Sequence, residues 1–395
     1  MKLIIGQFTD AYPPITDGVA NVVKNYAYWL NKKYGKTYVI TPAFPNYKDE
    51  EDFEVIRFFS IPLIIRPPYR LGIPFIDLKS MEKIKKIPFS LIHAHSPFSA
   101  GVLALYIARK KRIPIIATFH TKYYDDFKSA VKSDLLAKIM VKIIMEFYNQ
   151  VDEVWTVNKS TADILFEYGY RKKVEIVPNG SEFIPPSNKE EYRKRIDEIY
   201  NLYPEEIVLL YVGQLILHKN LEFLIYSLKY LRDWEVSFKI FIVGTGKDER
   251  YLKNLVKKLD LEKFVIFTGK ILDRELLKSF YARADLFLFP SLYDASAVVI
   301  KEASSFGCPS LVIEGSATSE GIIEGYNGFL SKNDPFLYAI KIKEIISDRE
   351  KLRDVGERAR ETLYRHWRDI LEEVAGRYEE IVRRHQSKIF KFSDF

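Results

Sequence analysis

The sequence is poor in cysteine and glutamine, and it lacks any long hydrophobic run. Its single cysteine, Cys308, excludes an intrachain disulfide and points to a reducing compartment. Glutamine occurs only at positions 7, 150, 214 and 386, while Lys, Glu and Ile are abundant, a bias compatible with a hot habitat. No apolar stretch approaches the ~20 residues that a helix needs to span a bilayer. The first strand is expected almost at Met1, in residues 2–8, which leaves no stretch for a signal peptide. The expected location is therefore the cytoplasm, with attachment no deeper than the inner face of the membrane. Short-period repeats and low-complexity tracts are also missing.

What is present suffices for two sizeable cores. The chain has 395 residues, of which 47% are apolar, a length that suggests two domains of roughly 150–200 residues each. The net charge of +7 favours anionic partners such as nucleic acid, acidic lipid or phosphorylated ligands, without choosing among them.

Short apolar runs alternate with helix-period segments throughout. Strands are expected at 2–8, 37–41, 54–58, 90–93, 113–118, 152–157 and 174–178, and again at 207–212, 237–243, 264–268, 285–290 and 310–313. They are rich in Ile, Val and Phe at both alternating positions, the pattern of parallel strands covered by helices on both faces. The expectation is an α/β protein of two doubly wound domains. The break is placed in Pro185-Pro186-Ser187-Asn188-Lys189, which has no apolar period. Domains of 1–187 and 188–365 follow, with a separate C-terminal helix at 366–395; the stretch from about 341 to 385 reads as helical and heavily charged.

Ligands of doubly wound domains gather at the carboxyl ends of the strands, so the loops there carry the candidates. The first, from Thr9 to Gly18, ends at a helix start, where Gly18 would let a phosphate approach free N–H groups. The second, Thr118-Phe119-His120-Thr121-Lys122, puts His120 at a strand end, where an imidazole can donate hydrogen bonds or shuttle protons. His93 and His95 share a strand face, as two metal ligands could, but no third ligand is visible and a structural or lining role is preferred. In the third loop, Gly213 to Asn220, Lys219 can reach a diphosphate as a point charge. The turns Val243-Gly244-Thr245-Gly246 and Thr268-Gly269-Lys270 expose backbone to a phosphate or ribose, although a lone Gly-x-Gly is weak. The richest loop is Phe289 to Ala303. It holds two carboxylates, Asp294 and Glu302, beside a helix expected to start near Ser296. Both can accept hydrogen bonds from sugar hydroxyls. Read alone, Asp294 is equally a helix cap and Glu302 a surface charge.

Taken together, these loops resemble the retaining family 4 glycosyltransferases of the GT-B fold, two Rossmann-like domains with a cleft between them. The resemblance rests on Tyr12-Pro13-Pro14-Ile15-Thr16-Asp17-Gly18-Val19, His93-Ala94-His95-Ser96-Pro97, Thr118-Phe119-His120-Thr121, Pro178-Asn179-Gly180, Tyr211-Val212-Gly213-Gln214-Leu215, His218-Lys219-Asn220, Val243-Gly244-Thr245-Gly246, Phe289-Pro290-Ser291-Leu292-Tyr293-Asp294 and Lys301-Glu302-Ala303. The two carboxylates, seven residues apart, are its most specific element.

The resemblance implies a hexosyltransferase moving a sugar, with UDP-glucose the first choice of donor. Its first domain would bind the acceptor, its second the nucleotide sugar, and its last helix would cross back to the first domain. Catalytic roles fall to His120, Lys219, Asp294 and Glu302. Donor contacts fall to Gly18, Gln214, Gly244, Lys270 and the backbone N–H groups of Ser296, Ala297 and Val298. Two positions depart from the usual pattern: Gln214 stands where the family has Arg, and Asp294 where it commonly has Glu. Both occur in the lipid-directed subgroup, similar to diacylglycerol glucosyltransferases, which makes a diacylglycerol-type acceptor the first choice and a soluble sugar or polyol the second. No Asp-x-Asp triplet occurs, so no catalytic metal or other cofactor is expected. Nucleic acid is not an expected partner; an anionic membrane surface is a candidate, because residues 133–150 read as a basic amphipathic helix whose apolar stripe is either core with a solvated back or a membrane face. A non-catalytic nucleotide-sugar-binding protein of the same fold is the alternative that Gln214 favours.

Overall fold

The computed structural model describes residues 2–15 and 17–393, with residues 388–393 as backbone only. Thr16 of the first candidate loop, and Asp394 and Phe395 at the end of the expected final helix, lie outside the described residues. The chain divides into two compact units: residues up to Asn179 together with those from Trp367 onward, and Gly180–His366. The Pro185-Pro186 pair thus falls just inside the second unit.

The first unit is built on a seven-stranded parallel sheet. Its strands are β1 (Leu3–Phe8), β2 (Gly35–Pro42), β3 (Glu54–Phe58), β6 (Leu91–Ala94), β7 (Ile115–Phe119), β8 (Glu153–Thr156) and β9 (Val174–Ile176), in the order β3-β2-β1-β6-β7-β8-β9. A small antiparallel pair, β4 (Ser60–Pro62) and β5 (Arg70–Gly72), lies outside that sheet. The second unit holds β10 (Val208–Val212), β11 (Lys239–Val243), β12 (Val265–Gly269), β13 (Leu286–Phe289), β14 (Ser310–Ile313) and β15 (Phe329–Ser331), all parallel, in the order β12-β11-β10-β13-β14-β15.

The central strands are apolar on both sides because both sides are covered. β7, β10 and β13 are buried at every position, as a parallel sheet between helix layers requires. The strands β4, β5 and β15 were not anticipated. Each has only three residues, too few for any period to show, whereas the equally short β9 sits inside the expected run 174–178.

Strand order places the ligand-binding ends. In each sheet the chain winds outward on one side, then returns to the centre and winds out on the other. The reversal falls between β1 and β6 in the first unit and between β10 and β13 in the second. The gap above the carboxyl ends at such a reversal is where doubly wound sheets bind ligands. The loops there are those ending at Gly18 and beginning at His95 in the first unit, and those of Lys219 and Asp294 in the second.

The C-terminal segment forms three helices rather than one continuous stretch: Pro335–Ser347, Arg349–Thr362 and Trp367–Ser393. The last of these buries Trp367, Leu371, Val374 and Tyr378 against Tyr26, Leu91 and Trp155 of the first unit's own core.

Candidate active site

In the second unit, two loops at the strand reversal are tied together. After β10 the chain runs through a 3-10 turn at Leu217–Lys219 and reaches Asn220 at φ 61°, a left-handed conformation that Asn tolerates well. The Asn220 side-chain amide donates to the carbonyl of Pro290, just past β13, at 3.2 Å. Beside this link the Lys219 ammonium pairs with Asp294 Oδ1 and stands 5.8 Å from the centre of the Tyr293 ring. The other carboxylate oxygen, Asp294 Oδ2, is buried and meets no hydrogen-bond donor among the described residues. A buried acceptor without a partner is costly in a folded protein and suits a hydroxyl supplied from outside. Tyr211, fully buried beneath, donates to the Gln214 carbonyl at 3.2 Å. Burial raises the Tyr211 hydroxyl far above the usual phenol range, and the negative charge of Asp294 adds to the rise. Four groups therefore meet here: Lys219, Asp294, Tyr211 and the backbone of Gln214. The Gln214 side chain itself is exposed.

Glu302 lies on the helix Val298–Ser305, which begins two residues after the expected Ser296 start. Ala297 is the N-cap residue, and no side chain caps the helix; no acidic residue sits in its first turn. Such an end suits an anion. Glu302 is buried and accepts from the Tyr281 hydroxyl at 2.7 Å, while Arg274 stands 3.7 Å from its other oxygen and pairs with Glu182 at 2.8 Å. Burial raises the Glu302 carboxyl above its ordinary value, and the Arg274 charge opposes the rise. Next to it, burial pulls the Lys301 ammonium down to about 8, helped by the positive charge of Arg365. Glu302 is therefore a held side chain and not a solvated charge. Arg274 and Tyr281 carry no sequence signal of their own, because they reach Glu302 from a different helix, Arg274–Arg283.

The Gly-x-Gly turn has a packing explanation. Gly244 has φ +139°, and a Cβ there would stand 1.9 Å from the Gly213 carbonyl oxygen; one at Gly246 would stand 2.2 Å from that of Leu215. The loop after β10 lies directly on this turn, with Gly213 N–H and Leu215 N–H donating to Val243 and Thr245. Lys270 is exposed at the end of the edge strand β12, separated from β10 by β11, and is not brought to Lys219.

In the first unit, Gly18 opens the helix Gly18–Lys33. Asp17 caps this helix by accepting from Ala20 N–H at 2.7 Å, and a Cβ on Gly18 would meet nothing within 4 Å. His120 follows β7 directly. It is buried, and its Nε2 lies 3.1 Å from His95 Nδ1, whose ring stacks on it. His95 Nε2 lies 2.7 Å from Gln7 Oε1, and Gln7 Nε2 lies 3.4 Å from the Tyr378 hydroxyl. That hydroxyl stands 2.5 Å from His93 Nδ1, and His93 Nε2 stands 2.7 Å from Thr118 Oγ1. All four ring nitrogens of His93 and His95 are thus used in hydrogen bonds within the protein, which accounts for the pair without a metal. Burial lowers all three imidazoles, His120 to about 3 and the others well below their ordinary value. The three rings are neutral near pH 7.

The second unit places a cation and a carboxylate at its strand reversal, and the first places neutral imidazoles after β6 and β7; each set of groups suits a charged, hydroxyl-rich ligand. Comparison with known proteins specifies the class. Residues 186–362 match the model for glycosyl transferases group 1, and residues 16–182 match that for glycosyltransferase family 4. The chain belongs to the group 1/family 4 glycosyltransferases of GT-B fold and is a hexosyltransferase. It is 28% identical over 309 residues to an alpha-monoglucosyldiacylglycerol synthase of Streptococcus pneumoniae, covering 77% of this chain and 70% of that one. It is 26% identical over 344 residues to the protein of the same name in Acholeplasma laidlawii, covering 84% and 85%. In three dimensions it resembles Anabaena HepE in complex with UDP-glucose, with a TM-score of 0.75, 18% identity, and coverage of 96% of this chain and all of the other. Among the described residues no helix is long and apolar enough to cross a membrane.

Proposed function

We propose that the protein moves glucose from UDP-glucose to a hydroxyl of a diacylglycerol-type lipid, with retention at the anomeric carbon and without a catalytic metal. The observation that carries this reading is the Lys219–Asp294 pair at the strand reversal of the second sheet, with one Asp294 oxygen left for a ligand hydroxyl.

In this reading the second unit holds the donor. Lys219 turns from Asp294 to the diphosphate, Glu302 receives the ribose hydroxyls, Asp294 receives hydroxyls of the glucose ring, and the N–H groups at Ser296, Ala297 and Val298 face the phosphates. The first unit holds the acceptor, with Gly18 at the diphosphate and His120 at the transferred sugar. The acceptor oxygen bonds to the anomeric carbon as that carbon's bond to the phosphate oxygen breaks. The electron pair leaves on the diphosphate, and the acceptor proton passes to a phosphate oxygen. Charge grows on the leaving group during this step, so a fixed cation and N–H dipoles aimed at it lower the barrier. Lys219 supplies a charge that the family otherwise takes in part from the Arg replaced here by Gln214.

A membrane-bound acceptor is supported by the helix Asp134–Gln150. It buries Val141, Ile144, Met145 and Tyr148, yet also exposes Leu135, Leu136, Ile139 and Ile143, alongside Lys138 and Lys142. An outward apolar face flanked by lysines suits an anionic bilayer surface.

The test is a transfer assay with UDP-glucose and diacylglycerol in anionic vesicles, with chelator added and the anomeric configuration of the product read by NMR. An α-glucolipid formed at the same rate with and without chelator is the expected result. Transfer to a soluble polyol but not to lipid would replace the acceptor; loss of activity with chelator would end the metal-free mechanism.

A further inference from the structure

His120 is the end of a longer chain of side chains. His120, His95, Gln7, Tyr378, His93 and Thr118 are joined in that order by five consecutive hydrogen bonds. Five of the six come from sheet strands or the loops after them; Tyr378 comes from the C-terminal helix Trp367–Ser393. Except for His120 and Thr118, which border the end of β7, every member is at most 1% exposed.

The distances set the direction of the chain. The gap between His95 Nε2 and the nearer Gln7 side-chain atom is 2.7 Å. That length is ordinary for N–H donating to a carbonyl oxygen, and short for a contact between two nitrogens. The Gln7 oxygen therefore faces His95, and the amide nitrogen faces Tyr378 at 3.4 Å. A carbonyl oxygen only accepts, so His95 carries its proton on Nε2. Its Nδ1 is then a lone pair, which accepts from His120 Nε2–H. On the other side the Gln7 amide donates to the Tyr378 oxygen, Tyr378 donates to His93 Nδ1, and His93 Nε2–H donates to Thr118. Every donor points the same way, from His120 toward Thr118.

We propose that Gln7 and Tyr378 are positioning residues that set the tautomer of His120, leaving its Nδ1 as the ring's unprotonated, accepting nitrogen. The inference rests on the reading that His120 meets the substrate. It deepens that reading, because the partner of Nδ1 must then be a donor, a hydroxyl of the sugar or the acceptor and not a phosphate oxygen. Tyr378 acts at a distance. Its proton is given to His93 Nδ1, so its oxygen can only accept from Gln7, and this keeps the Gln7 amide from turning over; with the amide reversed, His95 would take its proton on Nδ1 and His120 would become the acceptor at Nε2.

The experiment is a long-range proton–nitrogen correlation spectrum of the imidazoles in the 15N-labelled full-length protein at pH 7, with the His120 signals assigned from a His120→Gln variant. His93, His95 and His120 are expected neutral, with the proton on Nε2. Tyr378→Phe should move His120 from that tautomer and lower kcat about tenfold or more, with the donor KM changed less than about twofold. Adding Gln7→Glu to Tyr378→Phe should restore the tautomer, because a carboxylate can only accept from His95. The wild-type spectrum needs no substrate, and the His120→Gln variant serves only to assign its signals. His120 protonated on Nδ1 overturns the proposal even if glucose transfer is confirmed; Nε2 protonation that is lost in Tyr378→Phe upholds it even if the acceptor proves to be a different hydroxyl. An unchanged tautomer and kcat in Tyr378→Phe also overturns it.

Discussion

Lys219 engages Asp294 through one carboxylate oxygen only, and the other, Oδ2, is buried without a donor among the described residues. Both side chains are largely shielded from water, with exposures of 13% and 18%, so the pair matters for folding as well as for binding. Replacing Lys219 by Ala should lower turnover by a factor of about 100 or more, the scale of removing one group aimed at developing charge. It should also destabilise the fold by about 1–3 kcal/mol, because Asp294 then keeps a shielded charge without a counterion. Adding Asp294→Asn removes that charge, so the double variant should regain thermal stability but not activity. Melting curves and single-turnover rates on the same three proteins separate the two effects. Unchanged turnover in Lys219→Ala would remove Lys219 from the mechanism.

How much of this was legible in the sequence depends on how local the signal is. Buried parallel strands show as runs apolar at both alternating positions, so the strands of both main sheets except β15 could be read. Of the four three-residue strands, β4, β5 and β15 could not, while β9 lies inside a longer run that could. Lys219, Asp294 and Glu302 stand out because loops after strands are where charge is expected, and the helix start at Val298 fell within two residues of its expected place. Arg274, Tyr281, Gln7 and Tyr378 are invisible by comparison, since each makes its contact across elements. Gln7 and Tyr378 are 371 positions apart and meet only because the final helix packs on the first sheet. The Gly244 turn shows the converse, a motif that looks like a phosphate loop while its φ and its neighbour Gly213 already demand glycine.

Two glycines should therefore respond differently to alanine. At Gly244 a methyl group would strike the Gly213 carbonyl at 1.9 Å in a backbone conformation unfavourable to other residues. Gly244→Ala should cost about 3 kcal/mol or more and reduce the yield of folded protein. At Gly18 the space is open and φ is not positive, so Gly18→Ala should leave the melting temperature unchanged or slightly raised. If Gly18 lies against the diphosphate, the same methyl group should raise the donor KM. Equal donor KM in Gly18→Ala and wild type would sink that contact, and a stable Gly244→Ala would contradict the packing account.

Acid should weaken the first unit through its histidines. Each of His93, His95 and His120 has a native value depressed by burial, His120 to about 3. In the unfolded chain they protonate near 6.5. Between those values the unfolded state binds more protons than the native one, so stability falls as pH falls, by up to ~1.4 kcal/mol per pH unit for each ring. Asp10, Asp17 and Glu302 act in the opposite sense, since burial raises their native values and their protonation on folding favours acid. The measurement is thus a difference. Urea midpoints at pH 7.5 and 5 should diverge less in His95→Gln than in wild type, because one proton-binding site of the unfolded chain is gone. Equal slopes would mean that His95 titrates in the native protein as it does in water.

The outward face of the helix Asp134–Gln150 yields the last prediction. Leu135 is 69% exposed and Ile143 64%, on a helix whose other face is already buried. Full burial of an isoleucine side chain is worth about 1.5–3 kcal/mol, so losing two to charge should weaken vesicle binding by roughly 100-fold. Ile139→Glu with Ile143→Glu should therefore abolish sedimentation with anionic vesicles. It should leave the melting temperature within about 2 °C, since exposed positions change stability little. Transfer to lipid presented in vesicles should fall with binding, whereas hydrolysis of UDP-glucose in free solution should not. Binding should also weaken with salt, because Lys138 and Lys142 on the same helix contribute through a screened field. Equal vesicle binding by the double variant and wild type would show that this face does not meet the bilayer, and would shift the acceptor toward a soluble hydroxyl.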